Sequence, residues 1–155
     1  MNAEFRQAFF NPEPFSPSIY ISIGADQQKA EHANTPKIYN IPDDKKSWGD
    51  ARSFCKRIGM KLVSITSKEK SDKIMARLSQ EDSEKDIFWT SARRRELFVR
   101  NLFYWTEAKK FVSFSNWRED EPNNLHGNEN CISFQRNMEW NDDLCDMEHY
   151  FVCES

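Results

Sequence analysis

Four cysteines, Cys55, Cys131, Cys145 and Cys153, bound what this chain can fold into more tightly than any other feature. Taken alone they admit 3 pairings, and sequence does not choose among them. No two stand at the close C-x2–4-C spacing of a zinc site, so their even number favours structural bridges over metal binding or free thiols. Such bridges persist only in an oxidising compartment. The opening Met1-Asn2-Ala3-Glu4-Phe5 lacks the basic start and apolar run of a signal peptide. Together these point to a mature secreted chain with an added Met rather than a cytosolic one.

A length of 155 residues predicts one domain. A hydrophobic share of 38% against 30% charged residues fits a soluble globular fold. The net charge of −3 argues against nucleic acid as the partner, because phosphate binding needs a basic surplus. No run approaches the roughly 18–20 apolar residues of a membrane span.

Two regions differ in character. Residues 1–36 carry Pro12, Pro14, Pro17 and Pro36 with little periodicity, which predicts a partly extended or flexible tail. The apolar groups at Phe9-Phe10 and from Phe15 to Ile23 suggest that part of it packs on the domain or on another chain. No heptad repeat or additional cysteine marks an assembly.

Residues 37–155 read as the folded domain. Lys37 to Ile41 alternates like a strand. Ser47 followed by Asp50 signals a helix start, and Trp48, Ala51, Phe54, Cys55 and Ile58 recur at helical spacing until Gly59. A second helix is expected from Thr66, with Glu69 three residues on and Ile74, Met75 and Leu78 buried. Short strands should follow at Ile87 to Ser91, Leu102 to Thr106, Cys131 to Phe134 and His149 to Cys153. Two early helices, then strands and a very long polar loop, give an α+β class. Long loops in compact domains are usually functional or disordered.

That loop carries Glu121-Pro122-Asn123 and Glu129, and Trp140-Asn141-Asp142 follows. Calcium takes about 6–8 oxygen ligands, which Asp, Glu and Asn side chains supply. Glu121, Glu129 and Asp142 bring negative charge. Asn123 and Asn141 bring neutral oxygens and keep NH2 donors for a ligand. An isolated Glu-Pro-Asn is usually a solvated turn, but these five residues in register reverse that weighting.

The whole arrangement resembles the carbohydrate-recognition domain of C-type lectins. Ser47 to Cys55 looks like that family's first helix, and Gly59-Met60-Lys61-Leu62-Val63-Ser64-Ile65 like the strand and turn after it. Phe103-Tyr104-Trp105 and Ser115-Asn116-Trp117 resemble the segments leading into its calcium loop, and Cys131, Cys145 and Cys153 stand at its last three cysteine positions. Trp89-Thr90-Ser91 is most similar to small secreted insect members.

This resemblance implies antiparallel sheets with two helices, a long calcium-binding loop and two disulfides, Cys55–Cys153 and Cys131–Cys145. Loops of about 15 and 100 residues closed in this way would contribute roughly 3 and 4.7 kcal/mol. It implies Ca²⁺ held by Glu121, Asn123, Glu129, Asn141 and Asp142, a cis bond before Pro122, and a sugar whose two hydroxyls are gripped by Glu121 with Asn123 and by Glu129 with Asn141. The Glu-Pro-Asn order resembles mannose-type members, and galactose-type members carry Gln-Pro-Asp. Mannose-type glycans on glycoproteins, microbes or viruses are then the expected partners, in immune recognition, with a homo-oligomer or a glycoprotein receptor as further partners. Leu97, Asn101, Asn124 and Asn130 stand at the four acidic positions of the family's auxiliary calcium, so one functional calcium is expected.

The other candidates read more plainly. Trp48, Trp89, Trp105 and Trp117 are expected as core and loop anchors. Arg93-Arg94-Arg95 suits anionic glycans, though short charge runs are usually solvated faces. His126 sits in the loop, where protonation near its ordinary pKa of about 6.5 could weaken metal binding. A lectin-like module that binds protein without sugar is the alternative function. An enzyme is not expected: metal ligation needs ionised carboxylates, whereas a general acid needs a raised pKa, and three scattered histidines make no nucleophile-base set.

Overall fold

The computed structural model describes residues 37–95 and 102–155. The expected tail, 1–36, and Leu97 and Asn101 lie outside the described residues. Chain order gives β1 (Tyr39–Asn40), α1 (Trp48–Arg57), β2 (Lys61–Leu62), α2 (Lys68–Leu78), β3 (Ile87–Arg94), β4 (Phe103–Trp105), β5 (Lys110–Phe111), a 3-10 turn (Leu125–Gly127), β6 (Cys131–Gln135), β7 (Trp140–Asp143), β8 (Tyr150–Phe151) and β9 (Cys153–Glu154).

The α+β reading and both disulfides hold: Cys55 is bonded to Cys153 and Cys131 to Cys145. One sheet runs β1-β9-β2 and is antiparallel. The other runs β5-β4-β3-β6-β7, also antiparallel along that path. Off that path, β8 lies parallel to the start of β3 through Phe88↔Tyr150 and Trp89↔Phe151.

Local chemistry explains the helices. The Ser47 hydroxyl accepts from the Asp50 N–H at 3.3 Å and donates to the Asp50 carboxylate at 2.9 Å, which caps α1. The Trp48 N–H, left over at the helix start, finds the Cys145 carbonyl at 2.9 Å. In α2 the cap is Ser67, one residue past Thr66, with its hydroxyl accepting from the Lys70 N–H at 3.2 Å. Glu69 is drawn to Lys73 instead of the cap. Ser71, Ile74 and Leu78 form the buried face, while Met75, expected inside, is 43% exposed because it lies at the edge of that stripe.

Strand β3 divides two cores. Successive side chains point to opposite faces, so Phe88 joins Ile74, Phe134 and Trp140 in one, while Trp89 joins Trp48, Cys55 and Phe151 in the other. Trp48, Trp89 and Trp105 are buried and Trp117 packs against the first core, which makes all four anchors as expected. Two strands were not foreseen. One is β5; the other is β7, whose Asn141 and Asp142 disfavour strand conformation but are held in it by pairing with β6.

Candidate functional site

Strand β7 is the frame of the site. Trp140 and Asp142 point inward and are both fully buried, while Asn141 and Asp143 face the other way. The Trp140 ring is braced edge-on by Trp105, Phe114 and Trp117, with centroids 5.7, 5.8 and 5.6 Å away. Aromatic pairs of this geometry each add about 0.5–1.5 kcal/mol beyond the area they bury. The strand therefore holds Asp142 at a fixed depth below the loop.

The loop arrives over it through a cis Glu121–Pro122 bond, as the resemblance implied. Asp120, Asn124, His126 and Gly127 adopt positive φ and curl the chain, a conformation that Asn, Asp and Gly tolerate best. Two backbone amides then stitch the predicted residues together. The Asn123 N–H reaches Glu121 Oε2 at 3.1 Å and Asp142 Oδ1 at 3.0 Å. The Leu125 N–H reaches Asn123 Oδ1 at 2.8 Å and Glu129 Oε2 at 2.6 Å. Asn124 completes the weave, with its N–H on Asp142 Oδ2 at 3.0 Å and its Oδ1 accepting from the Glu129 N–H at 3.1 Å.

Asn141 joins by another route. An Arg118 guanidinium nitrogen donates to Glu121 Oε1 at 2.8 Å and to Asn141 Oδ1 at 3.4 Å. A second guanidinium, Arg94, donates to Asp142 Oδ2 at 2.5 Å and to the Glu129 carbonyl at 2.9 Å. Sequence reasoning missed both arginines as parts of the site. Arg118 had only a weak signal, standing three residues before Glu121 across a turn. Arg94 had one in strand alternation, which turns it away from Arg93 and Arg95.

The charges do not balance. The side chains of Glu121 and Asp142 are 3% and 0% exposed, and Glu129 as a whole residue is 9% exposed. Burying a carboxylate is costly unless it is paired and hydrogen-bonded, and two guanidiniums face three of them. Glu129 shows the strain electrostatically. Burial pushes its carboxyl above the usual range, the Leu125 N–H pulls it down, and the charges of Asp142, Asp143 and Glu121 push it up again.

Among the described residues, no three acidic, His or Cys side chains are gathered at metal-binding separation. Their oxygens turn instead onto loop N–H groups and the two arginines. The donor set itself, three carboxylates and two amides on one loop and one strand, has the hard-oxygen chemistry that calcium takes. His126 is exposed at the tip of the loop. The auxiliary position Asn124 is consumed in the weave, and Asn130 bonds the Asn128 carbonyl through its side chain.

The lectin C-type domain family model matches residues 44–155. This chain belongs to the C-type lectin family. It is 30% identical over 127 residues to the C-type lectin mosGCTL-7 of Aedes aegypti, covering 76% of this chain and 83% of that one. The mouse scavenger receptor C-type lectin carbohydrate-recognition domain superposes with a TM-score of 0.67 at 26% identity, covering 78% of this chain and 89% of the other. The cow CD23 carbohydrate-recognition domain, solved in the presence of a GlcNAc2Man3 oligosaccharide, gives 0.65 at 30% identity over 78% and 88%. As a C-type lectin domain this chain is not an enzyme. No helix among the described residues is long and apolar enough to cross a membrane.

Proposed function

We propose that this C-type lectin is a secreted, calcium-dependent receptor for mannose-type glycans, acting in recognition of microbial or viral surfaces. One observation carries the reading: three nearly buried carboxylates, Glu121, Glu129 and Asp142, interleaved with Asn123 and Asn141 on a loop stitched to β7. Such a concentration of negative charge and amide oxygen is what a cation site requires. Glu121, Asn123, Glu129, Asn141 and Asp142 would hold one Ca²⁺, which supplies open coordination positions for two neighbouring sugar hydroxyls.

The side chains do the discriminating. Each hydroxyl needs an acceptor for its proton and a donor for its lone pair. Glu121 with Asn123 offers one such pair and Glu129 with Asn141 the other. Charge-assisted bonds of this kind are shorter and stronger than neutral ones. Because acid and amide are ordered Glu then Asn across Pro122, the equatorial 3- and 4-hydroxyls of mannose, glucose or N-acetylglucosamine are favoured over those of galactose. Two hydroxyls bury little surface, so useful affinity comes from clustered sites or clustered glycans, in a homo-oligomer or against a densely glycosylated surface.

A glycan array run in calcium and again in EDTA tests this. The expected result is binding to mannose-terminated structures that chelation abolishes. Exchanging Glu121→Gln with Asn123→Asp should move preference toward galactose. Partner binding that resists chelator and ignores sugar would replace this reading with a protein-binding one.

A further inference from the structure

The three arginines of β3 divide their labour. Arg94 turns inward to Asp142 and Glu129, whereas Arg93 and Arg95 are exposed on the other side of the strand. Each exposed guanidinium lies over an aromatic ring: Arg93 is 5.6 Å from the Trp48 ring centroid and Arg95 is 4.4 Å from that of Tyr104. Stacking fixes the planes and leaves their N–H edges for another partner. Among the described residues neither is ion-paired to a carboxylate.

A groove of about 490 Å³ opens here, lined by Arg93, Arg94, Arg95, Tyr104, Thr106 and Asn130. That falls within the roughly 300–1,000 Å³ of small-ligand sites. The groove is also strongly cationic on a chain whose net charge is −3, so it is a local feature and not a general basic surface. It adjoins the carboxylate loop directly. Asn130 follows Glu129 in the chain, and its carbonyl accepts the Arg94 N–H at 2.7 Å while the Arg94 guanidinium holds the Glu129 carbonyl. Asn130 is the point of contact between the two: it lines the groove and directly follows Glu129, so a second sugar leaving the loop there reaches Arg93 and Arg95 by passing round the end of β3.

We infer that this groove is a second subsite, taking an acidic substituent, a sulfate ester or a carboxylate, on a sugar attached to the one that the loop holds. The planar forks of Arg93 and Arg95 match the paired oxygens of either group. Tyr104 and Asn130, which line the same groove, carry neutral donors. The inference rests on the calcium-loop reading for the first sugar, but the groove itself does not use calcium.

The test is competition against immobilised mannan, with the whole chain in its disulfide-bonded form and calcium present. Three soluble mannose disaccharides serve as probes, identical except that the second residue is neutral, sulfated or a uronic acid. Either acidic probe should compete about 5- to 10-fold better than the neutral one, the size expected for one or two partly exposed charge-assisted contacts. In Arg93→Gln/Arg95→Gln the neutral probe should compete as before, which also shows the fold intact, and the acidic advantage should vanish. The ratio between the sulfated and uronic probes identifies the preferred anion.

Equal competition by neutral and acidic probes on the parent, or an advantage that survives both substitutions, overturns the subsite. Acidic probes captured equally well in EDTA, with no neutral probe bound, would support the groove and sink the calcium-loop reading. Failure of every probe in calcium removes both.

Discussion

The guanidinium of Arg94, on the last residue of β3, lies 2.5 Å from the carboxylate of Asp142, on β7, with both side chains withdrawn from solvent. The same guanidinium bonds the Glu129 carbonyl, so one cation joins a strand, a loop and a proposed metal ligand. It is a fixed positive charge that ties the loop to β3 and β7.

Removing it should therefore loosen the metal-free protein. Breaking one partner out of a buried pair typically costs about 3–5 kcal/mol, and two loop amides still hold Asp142. Arg94→Gln is expected to lose about 3 kcal/mol in urea unfolding with EDTA present, near the lower end of that range. Amides of residues 121–130 should also exchange hydrogen faster. Arg94→Lys should recover little, since a point charge cannot span carbonyl and carboxylate as a fork does.

Arg118 should act in the opposite sense. Its guanidinium is 45% exposed and bridges Glu121 and Asn141, two proposed calcium ligands. On the proposed reading it would compete with a bound ion for Glu121, while its own exposure keeps its worth to the fold small. Arg118→Gln is expected to tighten calcium binding by about 2- to 5-fold, the scale of an exposed charge pair, and to leave the melting temperature nearly unchanged. Calorimetric titration with Ca²⁺ reads the first and thermal unfolding in EDTA the second.

The Cys131–Cys145 bridge sets the site's other boundary, because Cys131 opens β6 opposite Asp143 and Cys145 follows β7 by two residues. Cys131→Ala/Cys145→Ala should lower stability by about 3 kcal/mol for a loop of this length. It should weaken calcium binding as well, since Asn141 and Asp142 sit inside the closed loop. Loss of stability with full calcium affinity would mean that Trp140 packing and the pairing with β6 position β7 without the bridge.

The ease of reading differed along the chain for physical reasons. Both helices announced themselves through apolar spacing and α1 also through its cap, because those signals are local: Ser47 and Asp50 are three residues apart. The acids and amides at Glu121, Asn123, Glu129, Asn141 and Asp142 were legible as a donor set through their register with the family's pattern, and the structure gathers them on the loop and β7. Strand β7 was hidden because its conformation comes from Trp140 packing and from pairing with β6, neither of which is written in Asn141 or Asp142. The pairing of Arg94 was hidden for the same reason. Arg94 and Asp142 stand 48 residues apart and meet only once β3, β6 and β7 lie side by side.

A last expectation concerns acid stability, away from the site. Past the end of α2, Glu81 pairs with Lys85 at 2.9 Å and with Arg77 at 2.5 Å, and Lys85 is itself nearly buried. The Lys85 hydrogen bond is the main influence holding the Glu81 carboxyl below its usual range, followed by burial, which opposes it, and the Arg77 bond, which assists. A carboxyl with a lowered folded-state pKa binds fewer protons folded than unfolded as the solution is acidified. Its stabilising effect is thus complete above the ordinary Glu value of about 4.3 and disappears as pH falls through the lower folded value. Glu81→Gln should consequently melt below the parent at pH 7, with the gap closing as pH drops below about 4. Melting curves of the two proteins across that range check the sign; a gap that widens in acid would mean that Glu81 is not held ionised by Lys85.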